Sequence, residues 1–418
     1  MGIALSGPEH RTLATRQIPQ YRPQASDGTA VGFIHEIVSA TCVLPARVLI
    51  ADDQPDLIDA LRLLLKPEGM LVDAVHSPEF ALAAVQKTRF DLVLMDLNYT
   101  GDTTSGREGI DLLSRLQSLD GTLPVVVMTG WGSIDLAVEA TRRGVRDFIQ
   151  KPWDNAALVG LLHSEIAAGR ERRAHVQREA RELDEARRIQ RTLLPATLPQ
   201  MEGFELAASW QPASGVGGDC FDAIRFSRSR VALSIADVVG KGIPAALLMS
   251  NLQAAVRAFA TEAARPAELC EQVNTVLCGH IAEGRFISFF YCVADAEVGM
   301  LSYTNAGHFP PFVVRADGSV EHLTSGGAVL GVFPDGVYEA ASIPFSPGDR
   351  LVLYTDGITE ARNDADEEFG EARLTSMAVE HRGCSAPALQ ARLVDAVASF
   401  TGRHFTDDAT LMVLAAEN

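Results

Sequence analysis

Acidic residues and two groups that suit phosphate oxygens follow the apolar runs in the first part of this chain. Asp52 and Asp53 come directly after the first run, and Asp96 ends a later one. Thr129 and Lys151 end two further runs. If the runs are parallel strands, their carboxyl ends meet at one edge of a sheet. Three carboxylates at that edge would repel one another unless a cation lay between them, and a hydroxyl and an ammonium group are suited to hold phosphate oxygens.

A second set of aspartates stands at strand ends in the last half of the chain. Asp219 follows two glycines, Asp237 and Asp356 each end an apolar run, and the pair Asp407-Asp408 precedes the last run. An aspartate beside a buried strand is costly unless it is solvated or binds something. Four such sites in one domain suit hard, oxygen-liganded cations such as Mg²⁺ or Mn²⁺.

The elements that must position these residues divide the chain into four predicted parts. Residues 1–45 have no sustained period and contain four prolines, which indicates a loose N-terminal extension. Residues 46–153 alternate apolar runs with helical patterns, including one at 133–143, which predicts an α/β domain with a doubly wound parallel sheet. Residues 154–195 read as a long helical linker, and residues 196–418 group strands with few helices, which predicts an α+β domain.

The linker carries an apolar stripe with three- and four-residue spacing, and this stripe indicates pairing with a second copy as a coiled coil. The competing interpretation is a single helix with one face packed on a neighbouring element. Gly169 and Arg173 interrupt the pattern. The stripe consists of Leu162, Ile166, Val176, Ala180 and Leu183.

Composition narrows the class of protein. Lys plus Arg is 36 and Asp plus Glu is 54, for a net charge of −18, which disfavours a broad grip on the phosphates of DNA. The six cysteines form no C-x-x-C pair, which disfavours a zinc site and fits a reducing cytoplasm. The sequence shows neither an apolar run long enough for a membrane span nor the apolar core of a signal peptide, so we expect a cytoplasmic protein without membrane attachment.

The first constellation resembles the receiver domain of response regulators, over about residues 46–153. The resemblance makes Asp52 and Asp53 ligands of Mg²⁺ and makes Asp96 both a further ligand and the phosphoacceptor for a sensor histidine kinase. Thr129 and Lys151 would then hold the phosphoryl oxygens, and Phe148 stands at the position of the switch aromatic. The loop at 98–107 departs from the family because it is longer and more polar than usual. A receiver fold that no longer takes phosphate is the alternative.

The second constellation resembles the SpoIIE/RsbU branch of metal-dependent protein serine/threonine phosphatases, relatives of protein phosphatase 2C. The resemblance spans about residues 186–415 and implies an antiparallel β-sandwich flanked by helices. Six segments carry it in the family order: Ile189–Pro195, Val216–Asp219, Ala236–Ala246, Asn305–His308, Tyr354–Glu360 and Asp407–Thr410.

The same resemblance implies a centre of two Mn²⁺ or Mg²⁺ ions. Asp237 would bridge both, with Asp219 and the Val238 carbonyl on one ion and Asp356 and Asp407 on the other. The choice between Asp407 and Asp408 stays open in the sequence, with Asp407 favoured by the family pattern.

His308 and Cys220 are two further residues with side chains that could take part in catalysis. His308 is interpreted as a core or turn residue in preference to a weak acid. Cys220 is disfavoured as a nucleophile, because an activated water already fills that role.

Together the two resemblances predict a two-component response regulator in which phosphorylation at Asp96 controls a protein phosphatase. The implied substrate is a phosphoserine or phosphothreonine on an anti-sigma-factor antagonist of the STAS type. A homodimer through the linker helix is expected, and direct contact with nucleic acid is not. The alternative is a catalytically silent adaptor in which the receiver exposes or hides a protein-binding surface.

Overall fold

A computed structural model describes residues 45–99, 107–130, 145–213, 215–281 and 284–417 of the chain. The predicted extension before residue 45, the predicted helix at 133–143 and most of the 98–107 loop lie outside these ranges. The chain packs as two compact units that divide between Arg173 and Ala174. The predicted boundaries at 46–153, 154–195 and 196–418 remain predictions.

The first unit contains a five-stranded parallel sheet in the order β2-β1-β3-β4-β5. Every residue of β3 is buried, as expected for a central strand that helices cover on both faces. Two core clusters, one on each face, hold these helices against the sheet. This confirms the predicted doubly wound architecture. Its elements are β1 Arg47–Ala51, α1 Pro55–Leu65, β2 Leu71–Val75, α2 Pro78–Lys87, β3 Leu92–Asp96, α3 Arg107–Leu119, β4 Val125–Thr129 and β5 Asp147–Gln150.

Helix α4 runs from Asn155 to Leu193, 39 residues, close to the span that the sequence predicts. In its first half the apolar stripe packs into the core of the first unit through Leu162 and Ile166. Arg173, an apparent interruption of the stripe, is buried there and donates to Asp120 at 3.1 Å. Farther along, Val176 is 51% exposed. The apolar side chains of the stripe are therefore buried in the core of the first unit up to about Ile166 and are exposed beyond it.

The second unit contains two mixed or antiparallel sheets. The six-stranded sheet has the order β13-β10-β9-β8-β7, with β14 paired to β10, and the five-stranded sheet has the order β12-β11-β15-β16-β6. A large core cluster joins inward side chains of both sheets, such as Leu233 and Leu353, and includes residues of α5 and α6. A second cluster lies between the five-stranded sheet and helices α8 and α9. The predicted sandwich with flanking helices is confirmed.

Apolar runs in the sequence predict strands near 204–210, 230–236, 286–293, 300–304, 311–314, 350–355 and 410–414, and helical patterns predict helices at 244–259, 266–279 and 386–400. The structure has an element at each of these places, whereas β12, β13, β14, α7 and α8 are not predicted. The missed strands are two to four residues long, and α8 buries only Leu374 and Ala378, so neither gives a sustained pattern. The elements are β6 Phe204–Gln211, β7 Cys220–Arg225, β8 Arg230–Val238, α5 Ile243–Phe259, α6 Pro266–Cys278, β9 Ile287–Asp295, β10 Met300–Ala306, β11 Phe312–Val314, β12 Val320–His322, β13 Gly326–Gly327, β14 Ala341–Pro344, β15 Arg350–Tyr354, α7 Asp356–Thr359, α8 Glu371–Glu380, α9 Ala386–Phe400 and β16 Ala409–Ala416.

Candidate active sites

The carboxyl edge of the parallel sheet brings Asp52, Asp96 and Lys151 together. The Lys151 ammonium lies 3.1 Å from Asp52 Oδ2 and 2.7 Å from Asp96 Oδ2. Asp52 is fully buried, and its Oδ1 accepts a hydrogen bond from the backbone N–H of Gln54 at 2.9 Å. Burial raises the pKa of Asp52, against the lowering effects of that hydrogen bond and of Lys151. The site therefore holds two close carboxylates with one ammonium group between them.

The other predicted residues of this site lie at the same edge. Thr129 ends β4, and its carbonyl accepts the backbone N–H of Lys151 at 2.7 Å. Asp53 follows Asp52 and is half-buried. Phe148 pairs in register with Val127 and packs against the core. The oxygen-rich donor set of Asp52, Asp53 and Asp96 is of the kind that Mg²⁺ prefers.

Tyr99, to which the sequence analysis gives no role, anchors the start of the polar loop at this site. Its ring is buried, and its hydroxyl donates to the Ala51 carbonyl at 3.1 Å. Burial raises the pKa of Tyr99, and the charges of Asp96, Asp52 and Asp53 raise it further. The Tyr99 phenol therefore stays uncharged beside the carboxylates.

In the second unit, Asp219 is buried between the two sheets. Its Oδ2 accepts hydrogen bonds from the Thr355 hydroxyl at 2.6 Å and the Thr410 hydroxyl at 2.7 Å. Its Oδ1 is buried and has no hydrogen-bond partner. Burial raises the pKa of Asp219 well above its usual range, and neighbouring Asp237 adds to the rise. An unpartnered buried carboxylate oxygen is costly, so this atom is free for a cation.

The negative charges of neighbouring acids raise the pKa values of both Asp237 and Asp356, although the two residues come from different sheets. Asp237, near the end of β8, has its pKa raised to about 7 by burial and then by Asp356, Asp407 and Asp408. Asp356, at the start of α7, has its pKa raised to about 6 by burial and then by Asp407. The predicted acids therefore form one coupled cluster of negative charge.

Asp407 and Asp408 have opposite surroundings. Asp408 is buried, and its two oxygens accept the backbone N–H groups of Ala213 at 2.9 Å and Gly218 at 2.6 Å. The Asp407 side chain is 47% exposed and lies 2.9 Å from the Lys241 ammonium. Asp408 is thus occupied by the backbone, whereas Asp407 faces the acid cluster and solvent.

The fit of this cluster to two divalent ions follows from its donors. Among the residues that the structure describes, no three His, Cys, Asp or Glu side chains are already spaced as a metal cage. The unpartnered Asp219 oxygen and the mutual repulsion of the acids, which raises the pKa values of Asp237 and Asp356, both suit hard cations. A Cβ on Gly218 would lie 2.8 Å from the Val238 carbonyl oxygen, so glycine is required for the backbone to approach that carbonyl.

His308 forms part of the floor of this site. Its Nδ1 lies 2.8 Å from the Ser288 hydroxyl and its Nε2 lies 3.1 Å from the Tyr354 carbonyl. Nε2 must donate to that carbonyl, so Nδ1 accepts from the hydroxyl and the ring is neutral. Burial lowers the pKa of His308 to about 4, in keeping with a structural role. Cys220 is also buried, which raises the pKa of its thiol.

Comparison with known proteins agrees with both halves of this description. The family model of the response regulator receiver domain matches residues 48–163, and that of stage II sporulation protein E (SpoIIE) matches residues 227–417. Phosphoserine phosphatase RsbU of Bacillus subtilis is 31% identical over 241 residues, 57% of this chain and 71% of RsbU. The chain belongs to the SpoIIE/RsbU family of protein phosphatases.

Other known proteins are also similar to parts of this SpoIIE/RsbU family member. Protein IcfG of Synechocystis sp. is 29% identical over 261 residues, 56% of this chain, and the match spans only 41% of IcfG. The SiaA-PP2C domain of Pseudomonas aeruginosa has the same fold, with a TM-score of 0.51 and 24% identity over 58% of this chain and 98% of that one. The protein therefore joins a receiver domain to a metal-dependent serine/threonine phosphatase domain of the PP2C type.

Several residues of the SpoIIE/RsbU domain contact the predicted acids or the glycine segment beside Asp219, and sequence patterns give them no role. Thr355 and Thr410 hold Asp219, Lys241 pairs with Asp407, and Gln190 pairs with Gly217. All four lie inside the segments that carry the family resemblance, and this position is the feature of the sequence that could have identified them. Their partners are distant in the chain, so only the fold identifies them.

Within the described residues, no helix combines the length and the apolar character needed to cross a bilayer.

Proposed function

We propose that this protein is a two-component response regulator in which phosphorylation of Asp96 controls a metal-dependent protein serine/threonine phosphatase. The observation that carries the proposal is the acid cluster of the second unit, with its unpartnered Asp219 oxygen and the raised pKa values of Asp237 and Asp356. A non-catalytic domain would gain nothing from that arrangement of buried acids.

For the phosphatase centre we assign Asp237, Asp219, the Val238 carbonyl, Asp356 and Asp407 as the groups that would hold the divalent ions. Asp407 is preferred to Asp408 because the backbone already occupies both oxygens of Asp408. Two divalent ions held in this way lower the pKa of a bound water and neutralise the charge of a phosphate ester.

The chain's own residues do the positioning. Thr355 and Thr410 orient Asp219 so that its free oxygen points away from the hydroxyls. Asp408 holds the backbone just before Asp219. His308 ties β9 to the end of β15, and these strands flank Asp237 and Asp356. These contacts cost little reorganisation during turnover, because they exist before substrate binds.

In the receiver, we propose that an Asp96 oxygen attacks the phosphorus of a phosphohistidine on a sensor kinase, and that the histidine nitrogen leaves. Lys151 already contacts Asp96 and is placed to hold a phosphoryl oxygen, with Thr129 holding another. Asp52 and Asp53 would bind Mg²⁺ beside Asp96. Phe148 would change its packing when Thr129 moves.

The proposed substrate is a phosphoserine or phosphothreonine on an anti-sigma-factor antagonist of the STAS type. The support is the match to RsbU, which is described as a phosphoserine phosphatase. The proposed setting is the cytoplasm, with a homodimer formed through α4 and no direct contact with nucleic acid or membrane. The exposed Val176 on the open half of the stripe supports the dimer.

The test is the rate of Mn²⁺-dependent hydrolysis of a phosphoserine protein, with and without beryllofluoride, a mimic of the phosphoryl group. We expect turnover that requires Mn²⁺, disappears in Asp356→Asn and changes with beryllofluoride. Lack of Mn²⁺-dependent turnover on candidate antagonist proteins would favour the second candidate, a receiver-regulated adaptor that binds a protein without hydrolysing it.

A further inference from the structure

Gln190, in the last turn of α4, makes a two-point contact with the backbone N–H and carbonyl of one residue of the phosphatase domain, Gly217. Its side chain is buried, with 3% exposed. Nε2 donates to the Gly217 carbonyl at 2.6 Å, and Oε1 accepts the Gly217 N–H at 3.0 Å. A glutamine amide carries the same donor and acceptor as a peptide, so the paired bonds fix both its plane and its direction. Moving Gln190 would leave two buried backbone groups unsatisfied.

The opposite side of Gly217 is closed as well. A Cβ at this position would lie 2.4 Å from Asp408 Oδ2. The same carboxylate oxygen accepts the N–H of Gly218 at 2.6 Å. The two glycines are therefore clamped between Gln190 on one side and Asp408 on the other, so a shift of the helix end must move or release them.

The clamped segment leads directly into Asp219. The Oδ2 of Asp219 accepts hydrogen bonds from the hydroxyls of Thr355, just after β15, and Thr410, in β16, while Oδ1 has no hydrogen-bond partner. The backbone of Gly217 and Gly218 thus sets where the free oxygen of Asp219 stands relative to the rest of the acid cluster.

The end of α4 is anchored a second time, on helix α5. The Gln253 side chain donates to the Leu193 carbonyl, and Leu194 is buried in the core cluster that includes α5. Helix α5 begins at Ile243, six residues after Asp237. The end of α4 therefore contacts the glycine segment before Asp219 and the helix that follows Asp237.

We propose that Gln190 is a positioning residue that makes metal binding at Asp219 and Asp237 depend on the conformation of the last turn of α4. The same helix begins in the receiver core, where Leu158 and Leu162 are buried, so it is the covalent route between the two domains. The inference rests on the proposed function, in which the receiver controls the phosphatase, and it names the contact through which control acts on the metal centre.

The first test measures Mn²⁺ binding by titration calorimetry on the full chain without substrate. All proteins carry Asp53→Asn, which weakens the receiver's own metal site. Gln190→Met keeps the length of the side chain and removes both hydrogen bonds, and Gln177→Leu on an exposed part of the same helix is the matched control. We expect the dissociation constant for the phosphatase ions to rise by about 10- to 100-fold in Gln190→Met and to stay unchanged in Gln177→Leu.

A dissociation constant within about twofold of the reference in a folded Gln190→Met protein would overturn the proposal. Circular dichroism checks the fold. If Gln190→Met fails to fold, Gln190→Ala decides instead, because the smaller side chain leaves room for water to satisfy the N–H and carbonyl of Gly217.

The second test follows turnover on the chain with Asp53 intact. With Gln190 present, beryllofluoride should change the Mn²⁺ concentration that gives half-maximal turnover, and in Gln190→Met this change should be lost. A response of equal size in both proteins contradicts the proposal. If the unaltered chain shows no turnover at all, the proposed function fails, while the calorimetric comparison still decides whether Gln190 positions the metal site.

Discussion

At the scale of single residues, the adjacent pair Asp407-Asp408 shows how burial separates two identical side chains. Asp408 is an acceptor for two backbone N–H groups, and Asp407 is half-exposed beside Lys241. Removing the Asp408 carboxylate leaves two N–H groups of the metal-site loop without partners. Removing the Asp407 carboxylate frees one part-buried backbone N–H, that of Asp408, and the exposed ammonium of Lys241.

We therefore expect the two alanine variants to differ in kind. Asp408→Ala should lower the free energy of unfolding by about 2–4 kcal/mol, the cost of leaving buried donors unpaired. Asp407→Ala should change it by less than about 1 kcal/mol, because its ion pair is exposed, yet lower kcat by roughly 100-fold or more through loss of a metal ligand. Urea unfolding and turnover at saturating Mn²⁺ measure the two effects. Equal loss of stability in both variants would contradict the assignment.

The pH dependence of metal-free stability follows from the raised pKa values of Asp237 and Asp356. A carboxyl whose pKa is raised in the folded state binds more protons folded than unfolded, so its stabilising effect is present at low pH and lost as pH rises through about 6 to 7. We expect the chelated protein to unfold more easily at pH 8 than at pH 6. Mn²⁺ should restore stability most strongly at pH 8. Thermal unfolding with EDTA or Mn²⁺ tests this, and a metal-free protein that is more stable at pH 8 would refute it.

At the scale of elements, helix α4 combines two environments in one continuous pattern. Its first apolar residues are buried in the receiver core, whereas Val176 and Ala180 are exposed. A second copy of the chain would cover the open half in the manner of a coiled coil.

The double substitution Val176→Glu and Ala180→Glu should convert a dimer to a monomer, because it places charge on the open half of the stripe. Sedimentation velocity measures the change. Gln177→Glu adds charge on the same turn outside the stripe and should leave the dimer intact. A monomeric unaltered protein, or an unchanged dimer in the double variant, would show that the stripe is not the contact.

The elements also show what sequence patterns can and cannot reveal. Continuous apolar runs predicted β3, β9 and β16, and the acids at strand ends followed, because a charged residue stops such a run. The two-residue strand β13 and the polar helix α8 carry no comparable pattern. Gln190 stayed without a role because its partner lies 27 residues away, and the pairing exists only once the helix end is folded against the glycine loop.

At the scale of the whole molecule, two proposed sites of phosphate chemistry lie on one chain, each at the ends of buried strands. If the first controls the second, its phosphoacceptor must be needed for the response. In Asp96→Asn, we expect the rates of Mn²⁺-dependent hydrolysis with and without beryllofluoride to become equal, since the mimic requires the Asp96 carboxylate. In Asp356→Asn both rates should vanish. A beryllofluoride effect that survives in Asp96→Asn would place the response outside the receiver.

The division of the acid cluster between the two sheets has a consequence for how the domain can be cut. Asp219 and Asp237 flank strands of the six-stranded sheet, whereas Asp356 follows β15 and Asp407 precedes β16 in the five-stranded sheet. Neither sheet alone supplies all of the proposed metal ligands. A chain that stops before Asp407 loses this acid and also β16, the strand that joins β15 to β6. Translation that ends before Asp407 would thus yield an inactive protein rather than a partially active one. If the domain were divided into two complementary fragments, activity could be measured only after the fragments had reassembled.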